Sequence, residues 1–230
     1  MKKFIIILLT LFCSQVLFGQ NDTTNTTSSQ FVAFVGIQSP DLTELNEALS
    51  LYNYPQFDSY CMSLGLGTVI YAKNILFQAD VYYYEQSKSK DTITSTIDSR
   101  GLGLSFGYAY LNKKKFQMYS SAGIYYSWTT VNLSNDFASS ITFNDYSSEG
   151  NQLKMTTKAF LVNISTQINY FIKISKKPDN KDYWILGIRG GYYFPISISS
   201  WKMNKTKQND SPNINPGGYY AMIVLGFNLY

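Results

Sequence analysis

Along GLGLSFGYAYL (101–111), every second residue is large and apolar: Leu102, Leu104, Phe106, Tyr108 and Tyr110. Between them stand only small residues, Gly101, Gly103, Ser105, Gly107 and Ala109. A period of two sends the two sets to opposite faces of a strand. One face must therefore meet an apolar surrounding, and the other a space too tight to hold side chains of its own. Such alternation recurs to the end of the chain in eight stretches, at 31–38, 58–72, 75–88, 98–111, 116–132, 156–174, 183–199 and 217–230. Strands in soluble sheets are mostly about 5–6 residues long, so most of these are too long for an ordinary soluble sheet.

The connections alternate in length. A long link at 39–57 is followed by the tight pair Lys73-Asn74, a longer loop at 89–97, a short turn from Asn112 to Lys115, a long loop at 133–155, a modest turn at 175–182 and a long loop at 200–216. Long and short in turn is the signature of a transmembrane barrel, with short periplasmic turns and longer outer loops. The expected fold is all-β, an eight-stranded antiparallel transmembrane β-barrel over 31–230 with a short helix in the first long loop. After residue 19 no apolar run approaches the ~20 residues of a membrane helix, which leaves strands as the spanning elements.

Parity assigns the faces. At 160–172 Phe160, Val162, Ile164, Thr166, Ile168, Tyr170 and Ile172 oppose Leu161, Asn163, Ser165, Gln167, Asn169 and Phe171. A soluble lipocalin-like barrel shows the same alternation turned inside out. Its outer face would carry many Lys and Glu. Here the polar parity carries Gly, Ser, Asn, Gln and Tyr, which suits an enclosed interior whose polar groups bond to one another. The chain also holds 20 Tyr, 15 Phe and 3 Trp, and Tyr and Trp favour the boundary between lipid and water. In the last strand Tyr219, Ala221, Ile223, Leu225, Phe227 and Leu229 share the apolar parity and Tyr230 does not. That leaves either a bulge near the end or a C-terminal signal of another form.

The chain opens with Lys2-Lys3, the apolar run FIIILLTLF and small or polar residues up to Gly19-Gln20, which read as a signal peptide over 1–19. A lipobox needs a small residue before its cysteine, whereas Phe12 precedes Cys13. QNDTTNTTSSQ at 20–30 reads as a flexible leader. In the first long link, Ser39-Pro40-Asp41 reads as a helix start. Leu42, Leu45, Leu49 and Tyr52 then fall on one stripe, which predicts a helix over 40–52 that lies on the barrel rim or closes its mouth.

The chain resembles the small eight-stranded outer-membrane β-barrels of the Bacteroidota type, within the broad class of adhesion and OmpA-like barrels. The resemblance is carried by MKKFIIILLTLF with its FGQ ending, LNEALSLYNYP followed by DSYCMSLGLG, and the aromatic C-terminus. It spans the mature chain and implies residence in the outer membrane of a Gram-negative bacterium. Its motifs carry no functional residue across.

Charge and composition narrow the chemistry. Without Lys2 and Lys3 the chain keeps 17 basic against 15 acidic residues, which gives no reason to expect nucleic acid. Histidine is absent, which removes the usual general base and the commonest metal ligand. No cofactor or catalytic residue is expected, and Asp136, Ser139, Ser140 and Asp145 read as loop residues. Cys61 reads as a small core residue. Asp80 and Arg189 both fall on the inward parity, where a charge needs a partner. They are expected in a structural interior network with Gln78, Asn163, Gln167 and Asn169, either paired with each other or each held by other groups. Asp22-Thr23-Thr24 and Asp91-Thr92-Ile93 match a short O-glycosylation pattern at Thr23 and Thr92. The basic turns Lys113-Lys114-Lys115 and Lys176-Lys177 suit lipid phosphates at the periplasmic rim. The function expected is that of a non-enzymatic integral membrane barrel that stabilises the membrane or binds an outer-membrane or surface protein through its loops. A subunit of a larger secretion or uptake assembly and a narrow gated channel are the alternatives.

Overall fold

The computed structural model describes residues 27–113, 115–135, 152–174, 183–203, 206–207, 212 and 214–229. Eight long strands follow one another: β1 (Thr27–Asp41), β2 (Cys61–Ala72), β3 (Ile75–Lys90), β4 (Ile93–Asn112), β5 (Phe116–Asn135), β6 (Gln152–Lys173), β7 (Tyr183–Ile198) and β8 (Asn215–Leu229). Each pairs antiparallel with its sequence neighbour, and β1 pairs with β8 to close the ring. At that seam Phe31 stacks on Phe227, with ring centroids 5.3 Å apart. Closure pairs each of the eight strands on both sides within the barrel wall, the condition for β-structure in a bilayer. A two-residue ribbon, Lys202–Met203 with Thr206–Lys207, adds to the outer end of β6.

The faces follow the alternation. Leu102, Leu104, Phe106, Tyr108 and Tyr110 are exposed on β4, while Gly101, Gly103, Ser105, Gly107 and Ala109 are buried. The outward wall continues with Leu64, Leu66, Phe77, Ile124, Ile164, Ile168, Leu186, Ile188, Ile223 and Leu225, all exposed. An apolar exterior around a polar and aromatic interior is stable only with lipid outside. The described strand ends Thr27 and Leu229 and the Lys73-Asn74 turn lie at one end of the barrel, which is the periplasmic end if the short turns face the periplasm as in such barrels. There the main chain turns through Lys73, whose φ is 59°.

Several boundaries differ from the sequence expectation. β1 begins at Thr27, so the leader expected over 20–30 does not hold for 27–30. Those residues look like linker because they are polar, but the interior they enter is polar too, and Gln30 is buried there. The loop expected at 89–97 is only the turn Asp91-Thr92, because β3 and β4 stay paired to Lys90 and Ile93. Hydroxyl pairs Ser87–Thr96 and Ser89–Thr94, each 3.0 Å, tie this outer hairpin together. Thr92 therefore sits in a tight turn, with Asp91 at φ 54°. The signal peptide, Thr23, the residues 136–151, Lys114, Lys176-Lys177 and Tyr230 lie outside the described residues.

The helix, α1 (Thr43–Leu51), starts later than Ser39-Pro40 suggested. Ser39 and Pro40 still belong to β1, where the register with β8 shifts between Ser39 and Asp41. A proline has no ladder donor, and an irregular strand end accommodates it. Asp41 marks the helix entrance instead, accepting the Thr43 amide at 3.1 Å and its hydroxyl at 2.8 Å. Asn53, at φ 59°, ends the helix, and the Tyr54 amide reaches back to the Leu49 carbonyl at 2.9 Å. Leu42, Leu45 and Leu49 are buried as the stripe requires, but Tyr52 lies past the helix end and is exposed.

Candidate functional site: the lumen and its extracellular cap

The glycine face of β4 exists to admit tyrosines. The Tyr82 ring occupies the space where a Cβ on Gly101 would stand, and the Tyr125 ring does the same at Gly103; either Cβ would fall 2.2 Å from ring carbon. Tyr82, Tyr125, Tyr193 and Tyr220 form one interior aromatic cluster. Tyr82 and Tyr193 lie 5.6 Å apart by centroid, Tyr125 and Tyr193 5.1 Å, and Tyr193 and Tyr220 4.8 Å. Near the periplasmic turns, Val69, Tyr71, Leu76, Ala109 and Tyr119 make a second buried cluster.

The charged pair bridges the lumen between β3 and β7. Arg189 Nη1 lies 3.0 Å from Asp80 Oδ2, and both residues are buried. Asp80 Oδ2 also accepts from Gln78 Nε2 at 2.5 Å and from the Tyr125 hydroxyl at 2.7 Å. Arg189 Nε donates to Gln167 Oε1 at 2.6 Å, and its guanidinium stands 5.0 Å from the Phe34 ring centroid. From Gln167 the chain of bonds runs through Asn169 Oδ1 at 2.7 Å to Gln117 Oε1 at 3.3 Å, which also accepts from Gln30 Nε2 at 3.3 Å. Gly67 makes room for the carboxylate, because a Cβ there would lie 2.1 Å from Asp80 Oδ1.

Asp80, Arg189, Gln78, Gln167 and Asn169 thus lie in one connected set of bonds. Asn163 stands apart from it and exchanges bonds with the Tyr220 hydroxyl at 3.0 and 3.2 Å. Tyr125, Gln117, Gln30 and Phe34 were missed from the sequence. Inward parity on β5 already marks Tyr125 and Gln117, whereas Gln30 was hidden in what read as leader. Cys61 is a buried free thiol among Phe34, Tyr84 and Leu161 in the larger interior cluster.

Above these layers the barrel is capped. Leu42, Leu45 and Leu49 pack with Ile97 of β4, Val131 and Leu133 of β5, and Leu153 and Met155 of β6. Those five strand residues share the inward parity of Gly101, Tyr125 and Leu161. The helix stripe is therefore inserted inside the ring at its extracellular end rather than laid on the outer rim. Trp201, Met203 and Ile214 complete the same cluster. Asn46 locks the descending chain, donating to the Phe57 carbonyl and accepting from its amide, each at 2.9 Å.

No protein-family model matches the chain, and no curated protein matches it. Solved structures do resemble it. The outer-membrane protein OprG from Pseudomonas aeruginosa is 12% identical, with 90% of this chain and 97% of that one covered, at a TM-score of 0.50. Ail, the attachment invasion locus protein of Yersinia pestis, is 6% identical, with 88% and 98% covered, at a TM-score of 0.48. Neisserial surface protein A is 13% identical, with 88% and 95% covered, at a TM-score of 0.45. At these identities the likeness concerns the fold alone. A closed eight-stranded barrel with a lipid-facing exterior is the architecture of bacterial outer-membrane proteins, and this chain is an outer-membrane β-barrel.

Proposed function

We propose that the barrel is a sealed, non-enzymatic scaffold of the small Bacteroidota kind, which presents its capped extracellular end to a partner at the cell surface. The observation that carries this reading is the insertion of Leu42, Leu45 and Leu49 between the inward-facing ends of β4, β5 and β6. Eight strands enclose an interior just wide enough for side chains. Here the tyrosine cluster and the Asp80–Arg189 network occupy it below the cap. The absence of histidine and the three donors that hold Asp80 Oδ2 favour a structural role for the Asp80–Arg189 pair.

The test is conductance in planar bilayers with the full chain, refolded and shown to shift on unheated gels. Silent membranes after insertion are expected; discrete, reproducible current steps would sink the sealed reading and make the barrel a channel. A pull-down from gently solubilised outer membranes then identifies the partner, with cross-linkers placed on the exposed helix face at Glu47.

A further inference from the structure

The outward wall of β4–β6 changes character at one level. Below it, Leu102, Tyr126 and Phe160 lie side by side in register on the apolar band. One step towards the extracellular end, the same cross-strand row reads Arg100, Trp128, Lys158. The next reads Asp98, Thr130, Thr156, Lys202, the last contributed by the short ribbon beside β6. Neighbouring strands are about 4.8 Å apart, so Arg100 and Lys158 flank Trp128 across about 10 Å. Lys202 stands diagonally beside Lys158, within reach of one ligand.

These side chains face out from the barrel. The Arg100 side chain is 55% exposed, and Lys158 and Lys202 are exposed. Lys158 Nζ lies 6.0 Å over the Tyr126 ring, which packs 5.8 Å from Trp128, while the Arg100 guanidinium stands 5.6 Å from the Tyr83 ring of β3, so each cation rests on an aromatic face. The opposing charges sit to one side. Asp98 touches Arg100 at 3.5 Å, and Glu85, opposite Asp98 on β3, accepts from the Tyr83 hydroxyl. The carboxylates bias an anion away from β3, toward Trp128, Thr156 and the two lysines.

We propose that this wall is a binding site for a phosphorylated lipid of the outer leaflet. The acyl chains lie along Leu102, Tyr126 and Phe160, and the headgroup phosphate rests over Trp128 between Arg100, Lys158 and Lys202. The site depends on which end of the barrel is extracellular and not on whether the lumen is sealed.

The experiment is native mass spectrometry of the full refolded chain in neutral detergent, titrated with bisphosphorylated lipid A, its dephosphorylated form and phosphatidylglycerol. Wild type, the pair variant Arg100→Gln/Lys158→Gln and a control at the tip of the outer hairpin, Lys90→Gln, are compared, each first shown to be folded by its unheated gel mobility. The expected result is retention of phosphorylated lipid by wild type and control, with a loss of roughly thirtyfold in the pair variant. Equal binding of phosphatidylglycerol supports recognition of the phosphate alone, and preference for lipid A adds the sugar. Binding of the dephosphorylated lipid as tight as that of its parent, or a pair variant that binds like wild type, overturns the proposal.

Discussion

Removing the Arg189 charge tests whether the lumen network behaves as one unit. In Arg189→Met, Asp80 loses its cationic partner but keeps Gln78 Nε2 and the Tyr125 hydroxyl as donors, while Gln167 Oε1 loses its donor. Breaking a buried ion pair from one side costs about 3–5 kcal/mol. The two donors left to the carboxylate put this variant near the lower end, about 3 kcal/mol. Asp80→Asn leaves Arg189 with Gln167 and the face of Phe34, again near 3 kcal/mol. Independent effects would make the double variant cost about 6 kcal/mol. With both charges gone no ion remains uncompensated, so the double variant should cost about 3 kcal/mol, a coupling near the top of the usual range for contacting residues. The assay is urea unfolding in lipid vesicles followed by tryptophan fluorescence, with unheated gel mobility as a second readout. A double variant that is additive to within about 0.5 kcal/mol would show that the two side chains do not act on each other, and the bridge across the lumen would be refuted.

Two further outcomes are expected. Burial holds the Asp98 carboxyl above the usual carboxylate range; Glu85 adds to this, and Arg100 and Lys154 oppose it. A carboxylate whose folded value is raised loses stability as pH climbs from its unfolded to its folded value, so the ionised form is a cost at neutral pH. Asp98→Asn should therefore stabilise the barrel by about 0.2–1 kcal/mol at pH 7 and give nothing below about pH 3.9, and an equal gain in acid would refute the cause. Leu45→Ala/Leu49→Ala removes two fully buried side chains from the cap, at about 2–5 kcal/mol each. Limited proteolysis should then cut between α1 and β2 while the barrel keeps its unheated gel shift; loss of both together would show that cap and barrel fold as one unit.

Much of this fold was legible because a strand has a period of two and a bilayer forces the choice of face. β4 shows it best: the alternation of 101–111 alone implied lipid on one side and partners from other strands on the other, and the Tyr82 and Tyr125 rings occupy that space. Strand ends were less legible. Gln30 and the outer hairpin at 87–96 are polar, and in a barrel a polar residue belongs as naturally to the lumen or an extracellular extension as to a loop. The helix start was misread at Ser39-Pro40 because local capping signals cannot reveal that β8 holds those residues in a ladder.

The amino-acid order by itself determined the strand count, the lipid-facing parity, the helix stripe and the inward position of Asp80 and Arg189, since each follows from local periodicity. Only the tertiary structure decided that Arg189 meets Asp80 across the lumen, 109 residues away along the chain, and that the stripe of α1 enters the ring rather than lying on it. Both outcomes depend on the shear with which eight strands close. That shear is set by registers summed around the ring, and no single segment contains it.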